Sequence, residues 1–409
     1  MNIKTKASLR NEFTLERRKA IFKPDGSWEP GELVQEAKAH NIMTNRGLNT
    51  AAYHFGNRRG SVGDGPGKIF AHDSTTNQDN LRIGGVVQVG DGDGTLDPTR
   101  TTLFNRLAGY VTSYHAKDYG DTWASYTMVY TIQPEQLVGE NITELGLSPV
   151  LSGNISSHAF LEDSEGNPIS ITNKTDLEVV IIYATVYIAI SNFAGNVDYP
   201  TGLENVFLSS VYNNRAMSDN SDNINRISIG SSNQEFVSGG AEANGVYTLV
   251  ANKSDTANTS ASVGVLEFYE RFGTTTGNDQ KIWEIGLGTR NGASWNSDDA
   301  KNVFRCRFPT AGIYAGHTIT DELLGTADGT QTVFTAAWDD WNDTANVIKV
   351  DGAEVTTGFT IDKSAGTVTF DTAPASGEVK GTYGVDYIPK DEQHVIDIAF
   401  EIHFVDANA

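Results

Sequence analysis

Apolar residues occupy every second position from Ile396 to Phe404, with mostly polar side chains between them. Because the side chains of a β-strand point alternately to opposite faces, this pattern predicts a strand with one face on a core and the other in water. A second long stretch, from Leu177 to Ile190, is largely apolar at consecutive positions and predicts a strand that is covered on both sides. Two long strands of this kind favour a fold that is built on extended β-sheets.

The segments between the apolar runs are rich in turn-forming residues. The chain has 409 residues, with 41 Gly against 11 Pro, and Asn, Thr and Ser are concentrated in the same gaps. Glycine and short polar residues tolerate the backbone conformations of tight turns, so many short strands are expected. We therefore predict a mainly β, multi-domain protein with β-sandwich-like modules and a few short helices, and the length favours about two to four domains.

The charge of the chain argues against several classes of partner. The net charge is −22, which repels the phosphate groups of nucleic acids and of anionic membranes, so neither is expected as a partner. No stretch approaches the ~20 apolar residues that span a bilayer, and no signal peptide is recognised, so we expect synthesis in a cytosol. The single cysteine, Cys306, cannot form an internal disulfide and is predicted to be a buried residue on a strand.

Four landmarks occur twice in the same order. They are a Gly-Leu pair that opens a short helix, a strand that runs into a glycine-rich or polar loop, a Glu-x-Gly-Leu strand, and a long final strand. The first copy has them at residues 47–48, 86–94, 142–147 and 177–190, and the second copy at residues 202–203, 226–232, 282–287 and 395–404. Repetition in the same order predicts a duplicated module.

The repeat divides the chain into four parts. We predict an N-terminal arm at residues 1–42, a first β-module at 43–195, a second β-module at 196–320 plus 388–409, and an inserted small β-domain at 321–387. The insertion is expected because short strands recur about every ten residues there, with turns between them. Residues 1–23 contain seven Lys or Arg and two Glu, and a short helix is expected over Glu32–His40. Two interpretations of the arm stay open, namely docking on an acidic partner and a solvated terminus.

The landmarks resemble a module that is common in tail-fibre, collar and baseplate proteins of tailed bacteriophages. In that module an apolar-Gly-x-Gly loop precedes an Ile-Thr-Glu-Ile-Gly-Leu strand. The residues that carry the motif here, expected to be structural, are Gly90, Gly92, Glu144, Gly146, Glu284 and Gly286. The second copy lacks the Pro and the Thr-x-Leu of the module. The insertion separately resembles a small phage β-module, whose Val-x-Val-Asp-Gly is matched by Val350–Gly352 and whose Gly-x-Val-x-Phe is matched by Gly366–Phe370.

The resemblance implies a structural component of a bacteriophage virion, in the tail, the baseplate or the base of a fibre. It would be assembled in the cytoplasm of the bacterial host. Its expected partners are copies of itself, as a trimer or a six-fold ring, and other virion proteins. Two alternatives stay open, a receptor-binding tail protein that contacts host surface glycan, and a head decoration or collar protein. Because no hydrolase motif or metal-ligand spacing of histidines is present, we expect no enzymatic activity and no cofactor.

Two acidic features invite a chemical interpretation. Asp91, Asp93 and Asp97 lie in a glycine-rich loop, where they could hold Ca²⁺ or could be solvated side chains of a turn. Glu144 is predicted to accept hydrogen bonds from backbone N–H groups of an adjacent turn rather than to act as an acid or base.

The stretch from Trp338 to Trp341 is the most site-like part of the insertion. Its candidate ligand contacts are Trp338, Asp339, Asp340 and Trp341, since tryptophan stacks on sugar rings and acidic side chains bind hydroxyl groups. The alternative is that both tryptophans fill the core of the inserted domain.

Overall fold

The computed structural model describes most of the chain. The described residues are 2–56, 83–119, 123–149, 151, 153–190, 197–198, 224–233, 249–254, 258–259, 262–289, 302–309, 314–344 and 346–408. They contain 26 strands and one helix, α1 (Asn45–Gly56). The prediction of a mainly β, multi-domain fold is therefore confirmed. Of the few helices expected, α1 is at the first Gly-Leu landmark and contains residues 47–48. The Gly-Leu pair at 202–203 lies outside the described residues.

The strands up to residue 198 are β1 (Asn2–Phe22), β2 (Trp28–Met43), β3 (Val86–Gly90), β4 (Arg106–Val111), β5 (Tyr114–Tyr119), β6 (Trp123–Ile132), β7 (Glu144–Ser148), β8 (Ser157–Phe160), β9 (Glu178–Ile190) and β10 (Val197–Asp198). Those up to residue 307 are β11 (Ile224–Gly230), β12 (Leu249–Ser254), β13 (Asn258–Thr259), β14 (Val265–Phe272), β15 (Gln280–Ile282), β16 (Glu284–Thr289) and β17 (Asn302–Arg307). The remaining strands are β18 (His317–Ala327), β19 (Val333–Thr335), β20 (Val347–Val350), β21 (Ala353–Val355), β22 (Phe359–Asp362), β23 (Thr367–Phe370), β24 (Gly377–Val385), β25 (Ile388–Lys390) and β26 (Ile396–Asp406).

Strand β1 lies in the middle of the largest sheet. On one side it is antiparallel to β9 along residues 7–19. On the other side it is parallel to β26 along residues 2–9 and then antiparallel to β2 along residues 12–22. Its inward side chains are fully buried, among them Leu9, Phe13 and Leu15. The residues of the predicted arm are thus strands of a sheet.

The helix expected over Glu32–His40 is wrong, because these residues belong to β2. Pairing with β1 and burial of alternate residues, such as Ala37 and Ala39, override the local helical signal. The basic residues of the same region form ion pairs within the chain. The pairs among the described residues are Lys4–Glu401, Arg10–Glu12, Arg17–Glu178, Arg18–Glu16, Lys19–Glu32 and Lys23–Glu29.

The same arrangement of strands occurs twice around β1. Strands β4, β3, β7 and β8 are neighbours in that order and continue to β2, while β12, β11, β16 and β17 are neighbours in that order and continue to β10. Strands β5, β6 and β9 flank β1 on one side, and β13, β14 and β26 flank it on the other. The landmarks at 142–147 and 282–287 therefore occupy equivalent places.

The inserted residues form two small sheets around a separate apolar cluster. One sheet has the order β18-β24-β20-β21 and the other β19-β23-β22. Their shared cluster includes Phe334, Val379 and Tyr383, which are inaccessible to solvent. Outside the insertion, Cys306 is fully buried on β17, as the sequence predicted.

We expect Phe13→Ala to lower the free energy of unfolding by about 3–5 kcal/mol, because it empties a buried position on the central strand. Urea unfolding followed by circular dichroism measures the change. The matched control is Thr14→Ala on the opposite, half-buried face of β1, which should cost less than about 1 kcal/mol. Equal effects of the two substitutions would contradict a central position for β1.

Candidate functional site

A carboxylate with no solvent exposure lies at the centre of the first repeat. Glu144 Oε1 accepts hydrogen bonds from the backbone N–H groups of Gly92 (3.1 Å) and Asn105 (2.8 Å), and Oε2 accepts one from Phe104 N–H (3.0 Å). Oε2 also lies 2.8 Å from His158 Nε2, and both side chains are fully buried. Glu144 therefore ties the loop between β3 and β4 to the sheet, which is the structural role predicted for it.

Glycines make room for this carboxylate. Gly90 is paired with Glu144 in the β3–β7 ladder, and a Cβ atom on Gly90 would lie 2.6 Å from Glu144 Oε1. On Gly92 it would lie 2.5 Å from the same oxygen and 2.3 Å from Phe104 Cβ. Gly146, opposite His158 in the β7–β8 ladder, would bring its Cβ to 2.9 Å from Ile155. The glycines of the motif are thus required by close packing.

The surroundings of Glu144 keep it ionised. Burial by itself raises the pKa of this carboxyl group, but the hydrogen bonds from His158, Asn105 and Phe104 outweigh burial and hold the pKa below its ordinary value. Aromatic rings cover the pair, since Phe104 and Phe160 lie 5.6 Å and 5.3 Å from the His158 ring. The Arg100 guanidinium lies 3.5 Å above the Phe104 ring.

The second repeat contains the same arrangement with a different partner for the carboxylate. Glu284 is paired with Gly230 as Glu144 is with Gly90, and both residues are shifted by 140 positions. A Cβ atom on Gly230 would lie 2.5 Å from Glu284 Oε1. Glu284 Oε2 lies 2.5 Å from Nε of Arg305, and both side chains are fully buried.

Arg305 replaces His158 at an equivalent register position. Gly286 is opposite Arg305 in the β16–β17 ladder, as Gly146 is opposite His158 in the β7–β8 ladder. A buried carboxylate needs a hydrogen-bonding or cationic partner, and both side chains meet this need. The two repeats therefore share a geometry and differ in the chemistry of the partner.

A buried lysine also recurs in the two repeats. Lys174 Nζ donates to the backbone oxygens of Pro134 (2.7 Å) and Thr175 (3.2 Å). Lys390 Nζ donates to Asp391 O (2.7 Å) and to Asn278 Oδ1 (2.8 Å).

Each lysine ties the start of a repeat's final segment to the loop before its Glu-x-Gly-Leu strand. Lys174 is hydrogen-bonded through its backbone to Gly139 and Glu140, and Lys390 is paired with Gln280. Burial lowers the pKa of both ammonium groups.

Sequence reasoning missed His158, Arg305, Lys174 and Lys390. The two lysines could have been found by aligning the two copies of the repeat. Lys174 lies six residues before Val180, where β9 begins to pair with β6, and Lys390 lies six residues before Ile396, where β26 begins to pair with β14. His158 and Arg305 gave no such signal, since their types differ and the loops before them differ in length.

The acidic loop uses its side chains in local turns. Asp97 Oδ1 accepts from the backbone N–H and the hydroxyl of Thr99, and these bonds lower the pKa of Asp97. Asp91 Oδ1 accepts from Asn105 Nδ2 at 2.6 Å, and Asp93 is exposed. Within the described residues, no group of three or more His, Cys, Asp or Glu side chains is arranged to hold a metal ion.

The structure separates the four residues of the tryptophan stretch into two roles. Trp341 is almost fully buried and stacks on Tyr383, with ring centroids 4.0 Å apart, while its Nε1 donates to Trp338 O. Trp338 is half-buried beside Tyr387. The core interpretation therefore describes Trp341, whose ring is not presented to a sugar.

The two carboxylates of this stretch face the second repeat. Asp339 and Asp340 both form ion pairs with Lys281 on β15. Burial lowers the pKa of Lys281, but the two carboxylates outweigh burial and raise it. The contact is extended by Trp283, whose ring centroid lies 4.9 Å from that of Tyr387. These residues hold the inserted domain against its neighbour.

The buried glutamates Glu144 and Glu284 have a structural role. Both carboxylates are inaccessible to solvent and each is bound by a side chain of the same chain, so a substrate does not reach them in this conformation.

Comparisons with known proteins identify no relative: no family model, no curated protein and no solved structure matches the chain. In the part of the chain that the structure describes, no helix is long and apolar enough to cross a membrane.

We expect Glu144→Gln to lower the free energy of unfolding by about 1–3 kcal/mol at pH 7, since it weakens charge-assisted bonds to a buried acceptor. Because folding lowers the pKa of Glu144, its contribution is present above the unfolded-state value of about 4.3 and is lost as the pH falls through the folded-state pKa. The difference between wild type and variant should therefore shrink in acid.

Urea unfolding of both proteins at pH 7 and at progressively lower pH measures this difference. Other carboxylates titrate equally in the two proteins and cancel in the comparison. A difference that stays constant, or grows, toward acid would contradict an ionised Glu144 in the folded protein.

Gly90→Ala and Gly230→Ala should each cost about 1–3 kcal/mol of stability, because the new methyl group collides with a buried carboxylate. Thermal or urea unfolding measures the loss. Gly273→Ala is the control, since a Cβ atom there meets no atom within 4 Å. A similar loss at all three positions would mean that backbone freedom, rather than the carboxylate, selects glycine.

Proposed function

We propose that this chain is a non-enzymatic structural component of a bacteriophage virion, in the tail, baseplate or fibre base, and that it acts through assembly with copies of itself. The observation that carries the proposal is the use of the motif residues. In the first repeat the motif glutamate ties a loop to the sheet, in the second it pairs with Arg305 of a neighbouring strand, and neither glutamate is open to solvent. The residues of the motif thus have a structural role in the fold, which is the role expected of a component of an assembly.

The polar clusters of the described residues support a passive role. Glu144, Glu284, Lys174 and Lys390 are all buried and satisfied within the chain. Asp339 and Asp340 neutralise Lys281 at a contact between two parts of the chain. Catalytic groups need access to a substrate, whereas these groups hold elements in place.

The surface also suits a component of an assembly. A net charge of −22 keeps a protein soluble at high concentration before it is incorporated into a particle. The sheet around β1 presents edges at β13 and β5, which pair on one side only with described strands. Unpaired strand edges are surfaces on which further strands or copies add.

Light scattering on the purified chain tests assembly, with 44.2 kDa as the mass of one copy. We expect a stable oligomer, with a trimer favouring a fibre base and a six-fold ring favouring a tail or collar position. A monomer at all concentrations would contradict self-assembly.

Placement in the particle needs a separate experiment. Gold-labelled antibodies against the chain, applied to purified virions under the electron microscope, should label the tail or baseplate. Labelling of the head would favour the decoration alternative, and particles without label would contradict a virion protein.

A further inference from the structure

The hairpin formed by β1 and β2 extends beyond the sheet to which it belongs. The pairing of β9 with β1 ends at Lys19, and the last bond on that side joins Ala20 N–H to Leu177 O. Strand β8 pairs with β2 only at residues 41–43. Between these limits, residues 21–34 form a two-stranded ribbon with no further strand beside it in the described part of the chain.

This ribbon carries large apolar side chains in water. Ile21, Phe22, Leu33, Val34 and the adjacent Leu177 are each between 42% and 62% exposed. A ribbon of two strands is at best marginally stable alone in water, and contiguous exposed apolar residues mark interaction sites.

The ribbon combines apolar and charged side chains. Phe22 is paired with Trp28 on one face, and the neighbouring Ile21 is paired with Glu29 on the opposite face. The ribbon and the residues next to it also carry the exposed ion pairs Lys19–Glu32 and Lys23–Glu29. Alternating cations and anions make this surface self-complementary, because a lysine of one copy can oppose a glutamate of another.

Charge distinguishes the hairpin segment 17–36, which includes the ribbon, from the rest of the chain. Residues 17–36 contain four cations and four anions and are neutral, whereas the whole chain carries −22. Two copies of an acidic chain repel each other. The electrostatic repulsion is smallest where the local net charge is zero and the side chains are apolar.

We propose that the β1–β2 hairpin segment 17–36, which includes the ribbon, is the contact through which copies of this chain associate. The contact buries Phe22 and the other exposed apolar side chains of the ribbon between copies. The lysines and glutamates of the pairs Lys19–Glu32 and Lys23–Glu29 pair across the contact and fix its register. The inference rests on the proposed function, because it names the surface that the self-assembly uses.

Sedimentation equilibrium of Phe22→Asp, compared with wild type and with Val395→Asp, tests the contact. Val395 is 48% exposed and lies outside the ribbon, so its substitution controls for lost apolar surface. We expect Phe22→Asp to weaken association at least about 30-fold, the effect of a residue at the centre of an interface, and Val395→Asp to leave it unchanged. Far-UV circular dichroism verifies that both variants are folded.

Charge reversal gives a second, independent readout that does not disturb the fold. Lys19 and Glu32 are both more than half exposed, so their ion pair adds little to stability. Lys19→Glu should weaken association, and adding Glu32→Lys should restore it.

The outcomes separate this inference from the proposed function. Oligomers that persist unchanged in Phe22→Asp and in Lys19→Glu would overturn the ribbon contact and leave self-assembly in place. A monomeric wild-type chain would overturn both.

Discussion

The fold depends on backbone hydrogen bonds made on both sides of β1. This strand is neither part of one repeat nor part of the other, yet it pairs with the final strand of each, β9 on one side and β26 on the other. Each repeat alone would leave the long edge of its final strand open, and such edges attract other strands. By filling the space between them, β1 joins two three-stranded sets into one continuous sheet and gives its buried residues a core on which to pack.

The buried glutamate of each repeat shows under which condition a charged side chain can lie inside such a sheet. A carboxylate without partners costs several kcal/mol in an apolar interior, and here backbone N–H groups with His158 offset that cost in one repeat, while Arg305 does so in the other. Burying a charge that must be satisfied fixes the loop that supplies the donors. The same geometry thus survives a change of partner because each partner donates to the same carboxylate oxygen.

Many charged side chains of this protein pair with one another inside the chain, so its contacts with other molecules depend on the remaining surface residues. Cations near the start of the chain pair with acidic residues of the chain itself, and the lysine beside the inserted domain holds two aspartates. The whole chain carries −22, whereas the segment 17–36, which includes the exposed ribbon, has equal numbers of cations and anions. The association that we propose for this segment therefore has the least electrostatic cost there.

The sequence by itself determined the fold class, the final strand predicted over residues 395–404, the buried cysteine and the structural role of Glu144, because period-2 patterns and turn residues report local geometry. The helix expected over Glu32–His40 failed since long-range pairing with β1 outweighed local preference. Only the tertiary structure placed His158, Arg305, Lys174 and Lys390, each of which has a partner 14 to 112 positions away along the chain. It also decided that β1 lies between the repeats, since strand partners are chosen by burial and hydrogen bonding across the whole chain, which no local pattern encodes.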